Sequence, residues 1–85
     1  MDVQRRERLA RLLPGGSIDR PLVVASAAVI EGHATQAMPC PLCHGQYRIL
    51  EHTRPIPAVR KVDVECRYCA TLRTLYFRIV EPTLN

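Results

Sequence analysis

The sequence of 85 residues contains two cysteine pairs that decide its fold, in the segments Cys40-Pro41-Leu42-Cys43-His44-Gly45 and Cys66-Arg67-Tyr68-Cys69-Ala70-Thr71. No other cysteine is present. Two residues between paired cysteines let one tight turn direct both sulfurs at the same ion, while backbone amides bond to them. The 22 residues between the pairs slightly exceed the usual gap of about 15–20 and fit a two-stranded hairpin. The spacing therefore predicts one metal site formed by all four cysteines.

The donor set of this site favours zinc, with iron as the alternative metal. Four thiolates in a tetrahedron suit Zn²⁺ and also a mononuclear iron centre. Coordination by Cys40, Cys43, Cys66 and Cys69 leaves no position for water or substrate, so the predicted metal is structural. Unliganded thiols or two disulfides are the other interpretation. We expect the metal, because a short chain with one Phe, three Tyr and no Trp forms a small core that needs additional stabilisation.

The order of the motifs resembles the zinc-ribbon group. The resemblance covers residues 38–81 and rests on Cys40-Pro41-Leu42-Cys43, a hairpin, Cys66-Arg67-Tyr68-Cys69 and a third strand. It implies the fold far more firmly than a function. Members of the group commonly bind nucleic acid or proteins in transcription, translation and ribosomal machinery. This chain departs from the pattern at His44 and Ala70, where glycine often follows the second cysteine. We expect Gly45 to supply the flexibility for the first turn, while the second forms without glycine.

The residues after each cysteine pair alternate between apolar and polar with the period of a β-strand. Strands are predicted at residues 46–53, 59–65 and 73–81, with a turn at 54–57. In the first of them Tyr47, Ile49 and Glu51 share one face. The pattern predicts three antiparallel strands.

The N-terminal part, residues 1–20, is predicted to form a short amphipathic helix and a linker. The helix spans residues 2–13, with Asp2 as its N-cap and a stripe of Leu9, Leu12 and Leu13, and it stops at residues 14–16. Such a short helix is unstable alone in water, so its leucines dock on something or the terminus frays.

Residues 21–85 are predicted to form a single zinc-ribbon domain with an added strand. Residues 22–30 are β-branched at both ends, which favours a strand, or two short ones, at the edge of the sheet. An alanine-containing helix stays open over this length. Gly32 is expected to end this element. The predicted fold class is a small, metal-stabilised, mostly β zinc ribbon with a three-stranded antiparallel sheet, an extra N-terminal strand and a short N-terminal helix.

Charge and hydropathy favour a cytoplasmic protein. The first eight residues are mostly charged, and no apolar secretory segment follows them. The longest apolar stretch, residues 22–30, is far shorter than the roughly 20 residues that span a bilayer, so we expect no membrane partner. The net charge of +4 falls to about +2 when four thiolates bind one divalent cation. Basicity alone is therefore a weak indication of a nucleic-acid partner.

The remaining polar residues do not form an enzyme motif. Three histidines are present, His33, His44 and His52. His44 could replace a cysteine as a ligand, but four cysteines already complete the site. His52 and its strand neighbour Glu51 point to opposite faces. No nucleophile, paired-carboxylate or phosphate-loop pattern is present, so we expect neither an enzyme nor a small-molecule substrate.

Three functions fit these features. In the first, the metal holds a protein-interaction module, which meets a partner protein or a second copy through Leu9, Leu12 and Leu13 or through residues 22–30. In the second, the ribbon binds nucleic acid. The residues proposed for that role are Arg48, Arg60, Lys61, Arg67, Arg73, Tyr76 and Arg78, with Tyr47 and Tyr68 beside them. In the third, the site is a redox or metal-transfer centre, which requires labile thiolates. We favour the interaction hypothesis slightly, because it gives a role to the leucine stripe and to residues 22–30, which the nucleic-acid hypothesis does not.

Overall fold

The computed structural model describes residues 3–80, which fold around one small β-sheet. The elements are helix α1 (Val3–Leu12) and strands β1 (Leu22–Val24), β2 (Tyr47–Ile56), β3 (Val59–Cys66) and β4 (Leu72–Ile79). Between β1 and β2 lies a helical segment of residues 27–37, made of a 3₁₀ turn (Ala27–Val29), an α turn (Ile30–Gly32) and a π turn (His33–Ala37). The protein is thus small and mostly β, as the sequence predicts. No helix within residues 3–80 has the length and apolar character needed to cross a membrane.

The sheet has four strands, not three, in the order β1-β4-β3-β2, and the fourth is the N-terminal strand that the sequence analysis adds at the sheet edge. β2, β3 and β4 pair antiparallel in chain order, as the alternation of residues predicts. β1 adds a fourth strand at the edge of β4, and it runs parallel to β4. Parallel pairing is possible because the helical segment, the cysteine turns and the β2–β3 hairpin all lie between β1 and β4 in the chain.

The strand predicted at residues 22–30 is wrong beyond its first three residues. Only Leu22–Val24 is extended, and the chain becomes helical from Ala27 onward. Ile30 and Ala34 are both fully buried, and their i, i+4 spacing places them on one helical face against the sheet. Gly32 therefore lies inside the helical segment and does not end the element.

A bulge at Leu50 changes the faces predicted for β2. Ile49 pairs with Val64 and Glu51 pairs with Asp63, which leaves Leu50 without a partner on β3. One extra residue moves every later side chain to the opposite face. His52 consequently lies on the core face opposite Val62, whereas the sequence predicts that position for Glu51.

The hairpin tip lies further along the chain than predicted. β2 continues to Ile56, after a second irregularity between Thr53 and Ile56, and the turn consists of Pro57 and Ala58. Ala58 has a positive φ of 69°, as one position of such tight turns requires. The Ile79 amide donates a hydrogen bond to the Ala58 carbonyl at 2.8 Å, which fixes the tip against β4.

The core lies between one face of the sheet and the helical segment. Its buried side chains are Val24, Ile30, Ala34, Cys40, Tyr47, Val62, Val64, Cys66, Leu75 and Phe77. Two of the four cysteines, Cys40 and Cys66, are thus part of the core and attach the cysteine turns to it.

The turn that follows α1 bonds to the part of the β4 edge that β1 leaves free, and α1 itself contacts β4 through an ion pair. The Tyr76 amide donates to the Gly15 carbonyl at 2.9 Å, and Arg73 pairs with Glu7 at 2.7 Å. Ala10 is buried where the helix touches the domain. The helix observed at Val3–Leu12 agrees with the predicted one to within a residue at each end, and Asp2, the predicted N-cap, lies outside the described residues.

Candidate metal centre

The two cysteine turns have the same backbone design. We call residues 40–45 the first knuckle and residues 66–71 the second knuckle. In each, the amide four residues after the first cysteine donates to the carbonyl of that cysteine: His44 to Cys40 at 2.7 Å, and Ala70 to Cys66 at 3.0 Å. The amide of each first cysteine donates in turn to the carbonyl five residues on, at 2.9 Å in both knuckles. Two separate segments therefore form equivalent ligand-presenting loops.

Both knuckles place a residue other than glycine in the left-handed region. His44 and Ala70 each have a φ of 62°, where an L-residue is strained and glycine is not. The expectation that Gly45 supplies the flexible position is wrong, because the turn bends at His44. Gly45 is needed for space instead, since a Cβ there would lie 3.0 Å from Cys66 Sγ and 3.2 Å from Cys43 Sγ and would overlap the Tyr68 ring.

The four cysteine sulfurs converge at the meeting point of the knuckles. All four Sγ atoms lie within 4.8 Å of one another. The Cys40 and Cys69 sulfurs are 3.7 Å apart, and those of Cys43 and Cys66 are 3.3 Å apart. A tetrahedral ion with metal–sulfur bonds of about 2.3 Å separates its sulfurs by about 3.8 Å. The predicted proximity of the four cysteines is confirmed, and their spacing fits a single metal ion.

The site is half buried. Cys40 and Cys66, the first cysteine of each pair, lie in the core, whereas Cys43 and Cys69 are exposed. All four are free thiols. A sulfur donor set of this kind is one that Zn²⁺ and iron accept and that Mg²⁺ and Ca²⁺ do not.

Hydrogen bonds shift the pKa values of Cys43, Cys66 and Cys69 in opposite directions. The Thr71 hydroxyl, 3.0 Å from Cys69 Sγ, and the Thr71 amide lower the pKa of Cys69 to about 6. The Cys69 amide likewise lowers the pKa of Cys66. The bond from the Cys43 thiol to the Cys66 sulfur raises the pKa of Cys43 to about 12. The second knuckle thus favours the thiolate form, which is the form that binds a metal.

Helix α1 and a buried polar pair support the first knuckle. The Arg6 guanidinium donates to the Leu42 carbonyl at 2.9 Å and ties the helix to the knuckle. Beside it, Tyr47 is fully buried next to Cys40 and Arg73, and burial raises the pKa of its hydroxyl to about 12. Burial opposes the charge of Arg73, but Tyr47 and Glu7 outweigh it and raise the pKa of Arg73.

The residues predicted for nucleic-acid contact do not share one surface. Cross-strand pairing places Arg48, Lys61, Tyr76 and Arg78 on the outer face of the sheet. It places Arg60 and Arg73 on the core face, where Arg73 is largely buried against Glu7. Arg67 is exposed in the second knuckle. Arg48 forms an ion pair with Glu65.

The histidines lie away from the sulfur cluster or beside it, and none belongs to it. Within residues 3–80, the cluster of side chains close enough together to bind one metal ion consists of the four cysteines. His44 is exposed in the first knuckle, and His33 is exposed in the helical segment. His52 Nδ1 lies 3.2 Å from Glu31 Oε2 and links β2 to the helical segment.

Sequence reasoning misses the role of Thr71 and assigns the wrong role to Gly45. Thr71 contacts Cys69 through its hydroxyl, and Gly45 leaves room for two sulfurs. Their equivalent position, five residues after the first cysteine of each knuckle, is the signal that could have identified them.

A comparison with known proteins finds no matching family model, no matching curated protein and no matching solved structure.

Proposed function

We propose that this chain is a protein-interaction module, held together by one structural zinc ion and presenting the leucine stripe of α1 to a partner protein. The observation that supports this proposal most is the orientation of α1. The helix is fixed to the domain through Arg6, Glu7 and Ala10, and its leucines are left in solvent.

The zinc part of the proposal rests on the sulfur geometry and on the size of the chain. Two knuckles with identical hydrogen bonds bring four sulfurs to tetrahedral spacing. A core of ten buried residues is small, and a structural metal contributes folding free energy directly in such domains. We favour zinc over iron because zinc is the usual ion of structural four-cysteine sites, although four thiolates also suit iron.

The interaction part rests on the leucine stripe, which we define as Leu9, Leu12 and Leu13. These side chains are 48%, 57% and 58% exposed. Helices on globular domains normally bury their apolar side and leave charges in water. Here Arg6 and Glu7 bond to the domain instead, so the helix is held in place while its leucines stay exposed. Such patches are typical of protein interfaces.

The test is a comparison of two variants that lose the same kind of exposed side chain. Leu9→Gln/Leu12→Gln removes most of the stripe and keeps helix propensity. Leu72→Gln is the control, because Leu72 is 67% exposed at the start of β4. Capture from an extract of the source cells, quantified by mass spectrometry, and light scattering should both change for the stripe variant alone. Equal capture and equal mass for all three proteins would refute the proposal.

Nucleic-acid binding is the second candidate function, favoured by one observation. Lys61 and Tyr76 are direct cross-strand neighbours, and Arg78 lies two residues further along β4 on the same outer face. An aromatic ring beside two cations suits a stacked base and its phosphates. Affinity for single-stranded oligonucleotides that falls with salt and with Tyr76→Ala would support it. Absence of any salt-dependent affinity would exclude it.

A further inference from the structure

Helix α1 contacts the first knuckle directly. The Arg6 guanidinium donates a hydrogen bond to the Leu42 carbonyl at 2.9 Å, and this bond is partly buried. Leu42 lies between the two cysteines of the knuckle, Cys40 and Cys43, and its side chain packs against the core. A hydrogen bond from a charged donor restrains the backbone that directs both sulfurs. Two residues that are 36 positions apart in the chain are thereby joined at the metal centre.

A second contact runs from α1 to Cys40 through three side chains. Glu7 Oε1 accepts a hydrogen bond from Arg73 Nη2 at 2.7 Å. The Tyr47 hydroxyl in turn interacts electrostatically with both Arg73 and Cys40. Tyr47 and Cys40 are 1% and 0% exposed, and the Arg73 side chain is 9% exposed. Because water is largely excluded from these groups, their polar interactions are stronger than equivalent ones at the surface. Part of the polar environment of the Cys40 sulfur thus depends on α1.

The second knuckle is supported differently. Its residues 67–70 are exposed, and the hydroxyl that contacts the Cys69 sulfur comes from Thr71, a residue of the same knuckle. A loop with few contacts to the rest of a protein opens at a lower free-energy cost than a covered one. The two halves of the metal centre therefore differ, since α1 supports the first knuckle and the second relies on its own residues.

We propose that Arg6 and Glu7 of α1 are positioning residues of the metal centre, which keep the first knuckle closed on the bound ion. This inference rests on the zinc part of the proposed function and gives α1 a role besides presenting the leucine stripe. Without these contacts the first knuckle keeps the hydrogen bonds of its own turn and opens more often. Removing side chains that support metal ligands typically weakens metal binding by about 10–100-fold. Arg6 and Glu7 act at one remove from the sulfurs, so their effects should lie at or below the lower end of that range.

The first test compares zinc release from two arginine variants of the full chain. Arg6→Met removes the guanidinium and keeps a long side chain of high helix propensity. Transfer of zinc from this variant to an excess of a chromophoric chelator should be about three- to tenfold faster than from the wild type. Arg8→Met is the matched control, because it removes the same charge from an exposed position of the same helix. It should release zinc at the wild-type rate. Wild-type release from Arg6→Met, or equally fast release from both variants, would overturn the inference.

Hydrogen exchange separates a positioning role from a general loss of stability. The amides of His44 and Ala70 are equivalent reporters, because each donates to the carbonyl of the first cysteine of its own knuckle. In zinc-loaded Arg6→Met, protection of the His44 amide should fall about three- to tenfold, while protection of the Ala70 amide stays at its wild-type level. Parallel losses at both amides would show that the variant destabilises the whole domain, and would contradict the inference.

A glutamate variant tests the second contact. Glu7→Gln keeps an acceptor oxygen beside Arg73 and removes the charge, so the fold is retained and zinc release should be about two- to fivefold faster. Glu51→Gln is the matched control, because Glu51 is exposed and forms no ion pair within residues 3–80. Release from the control should match the wild type. Equal release rates for the two glutamate variants would overturn the role assigned to Glu7.

Native mass spectrometry of the wild type distinguishes failure of this inference from failure of the proposed function. A folded wild-type chain that contains no zinc refutes the zinc part of the proposed function, and the inference with it. A wild-type chain that contains one zinc ion, and whose release rate Arg6→Met does not change, refutes the inference alone.

Discussion

The first and second knuckles have the same backbone and different surroundings. Each places one cysteine in the core and one in solvent, with the same hydrogen bonds and the same φ of 62° after the second cysteine. The first knuckle lies under α1, which reaches it through Arg6, and it contains Gly45. The second knuckle is exposed from Arg67 to Ala70 and carries Thr71 at the position of Gly45.

The difference shows which features of a knuckle are general. The turn itself depends on backbone hydrogen bonds, so two unlike sequences form it. The support of the sulfurs is local: space at Gly45 in one knuckle and a hydroxyl at Thr71 in the other. Substitutions at Gly45 and Thr71 should therefore have unequal effects, whereas substitutions of the cysteines should have equal ones.

The largest effect is expected at the cysteines, and it should be equal in the two knuckles. Cys66→Ser affects a buried residue, whereas Cys69→Ser affects an exposed one. An exposed serine costs little by itself, but loss of a structural metal costs more than about 4 kcal/mol. We expect both variants to lose zinc and unfold, as monitored by circular dichroism. A stable Cys69→Ser variant would show that the exposed cysteines are not ligands.

The next effect should be confined to the first knuckle. Gly45→Ala places a Cβ 3.0 and 3.2 Å from two sulfurs, and we expect a loss of about 2–3 kcal/mol in the free energy of unfolding. Gly32→Ala is the matched control, because its backbone is helical and a Cβ there meets nothing within 4 Å. The control should gain about 0.5–1 kcal/mol. Equal denaturation midpoints for the two variants would contradict this account of Gly45.

A smaller effect is expected in the second knuckle at Thr71. Thr71→Ala removes the hydroxyl that contacts Cys69 Sγ at 3.0 Å, and zinc affinity should fall about tenfold, as for other groups that support metal ligands. Competition with a chromophoric chelator measures the change. Thr71→Ser retains the hydroxyl and should restore most of the affinity. If Thr71→Ser bound zinc as weakly as Thr71→Ala, the loss of affinity would be due to packing and not to the hydroxyl.

The smallest effect is a gain in stability. Ala70→Gly relieves an L-residue at a φ of 62° and should raise the free energy of unfolding by about 1 kcal/mol. His44→Gly, at the equivalent position, should give a similar gain. Thermal unfolding of both zinc-loaded variants provides the check. A loss of stability in both would mean that the left-handed residues make contacts that outweigh their strain.

Sequence reasoning identified the parts of the fold that depend on short-range pattern. The cysteine spacing predicted the sulfur cluster, and period-two alternation predicted β2, β3 and β4 close to their observed bounds. The leucine spacing predicted α1. In each of these elements the local pattern and the tertiary environment favour the same structure.

The wrong predictions concern residues whose secondary structure, strand face or burial depends on tertiary contacts. Residues 27–37 are helical because Ile30 and Ala34 pack against the sheet. This tertiary contact cannot be predicted from the helix and strand propensities of a nine-residue segment. The bulge at Leu50 inverts the faces of Glu51 and His52, and no residue near it predicts a bulge. Arg73 is buried because Glu7, distant in sequence, pairs with it.

The most direct test of the central claim is metal analysis coupled to folding. Native mass spectrometry of the purified chain should find one zinc ion per molecule, and removal of that ion by a strong chelator should abolish the folded circular dichroism signal until zinc is restored. A chain that stays folded after the metal is removed, or that is isolated with its cysteines joined as disulfides, would contradict the account.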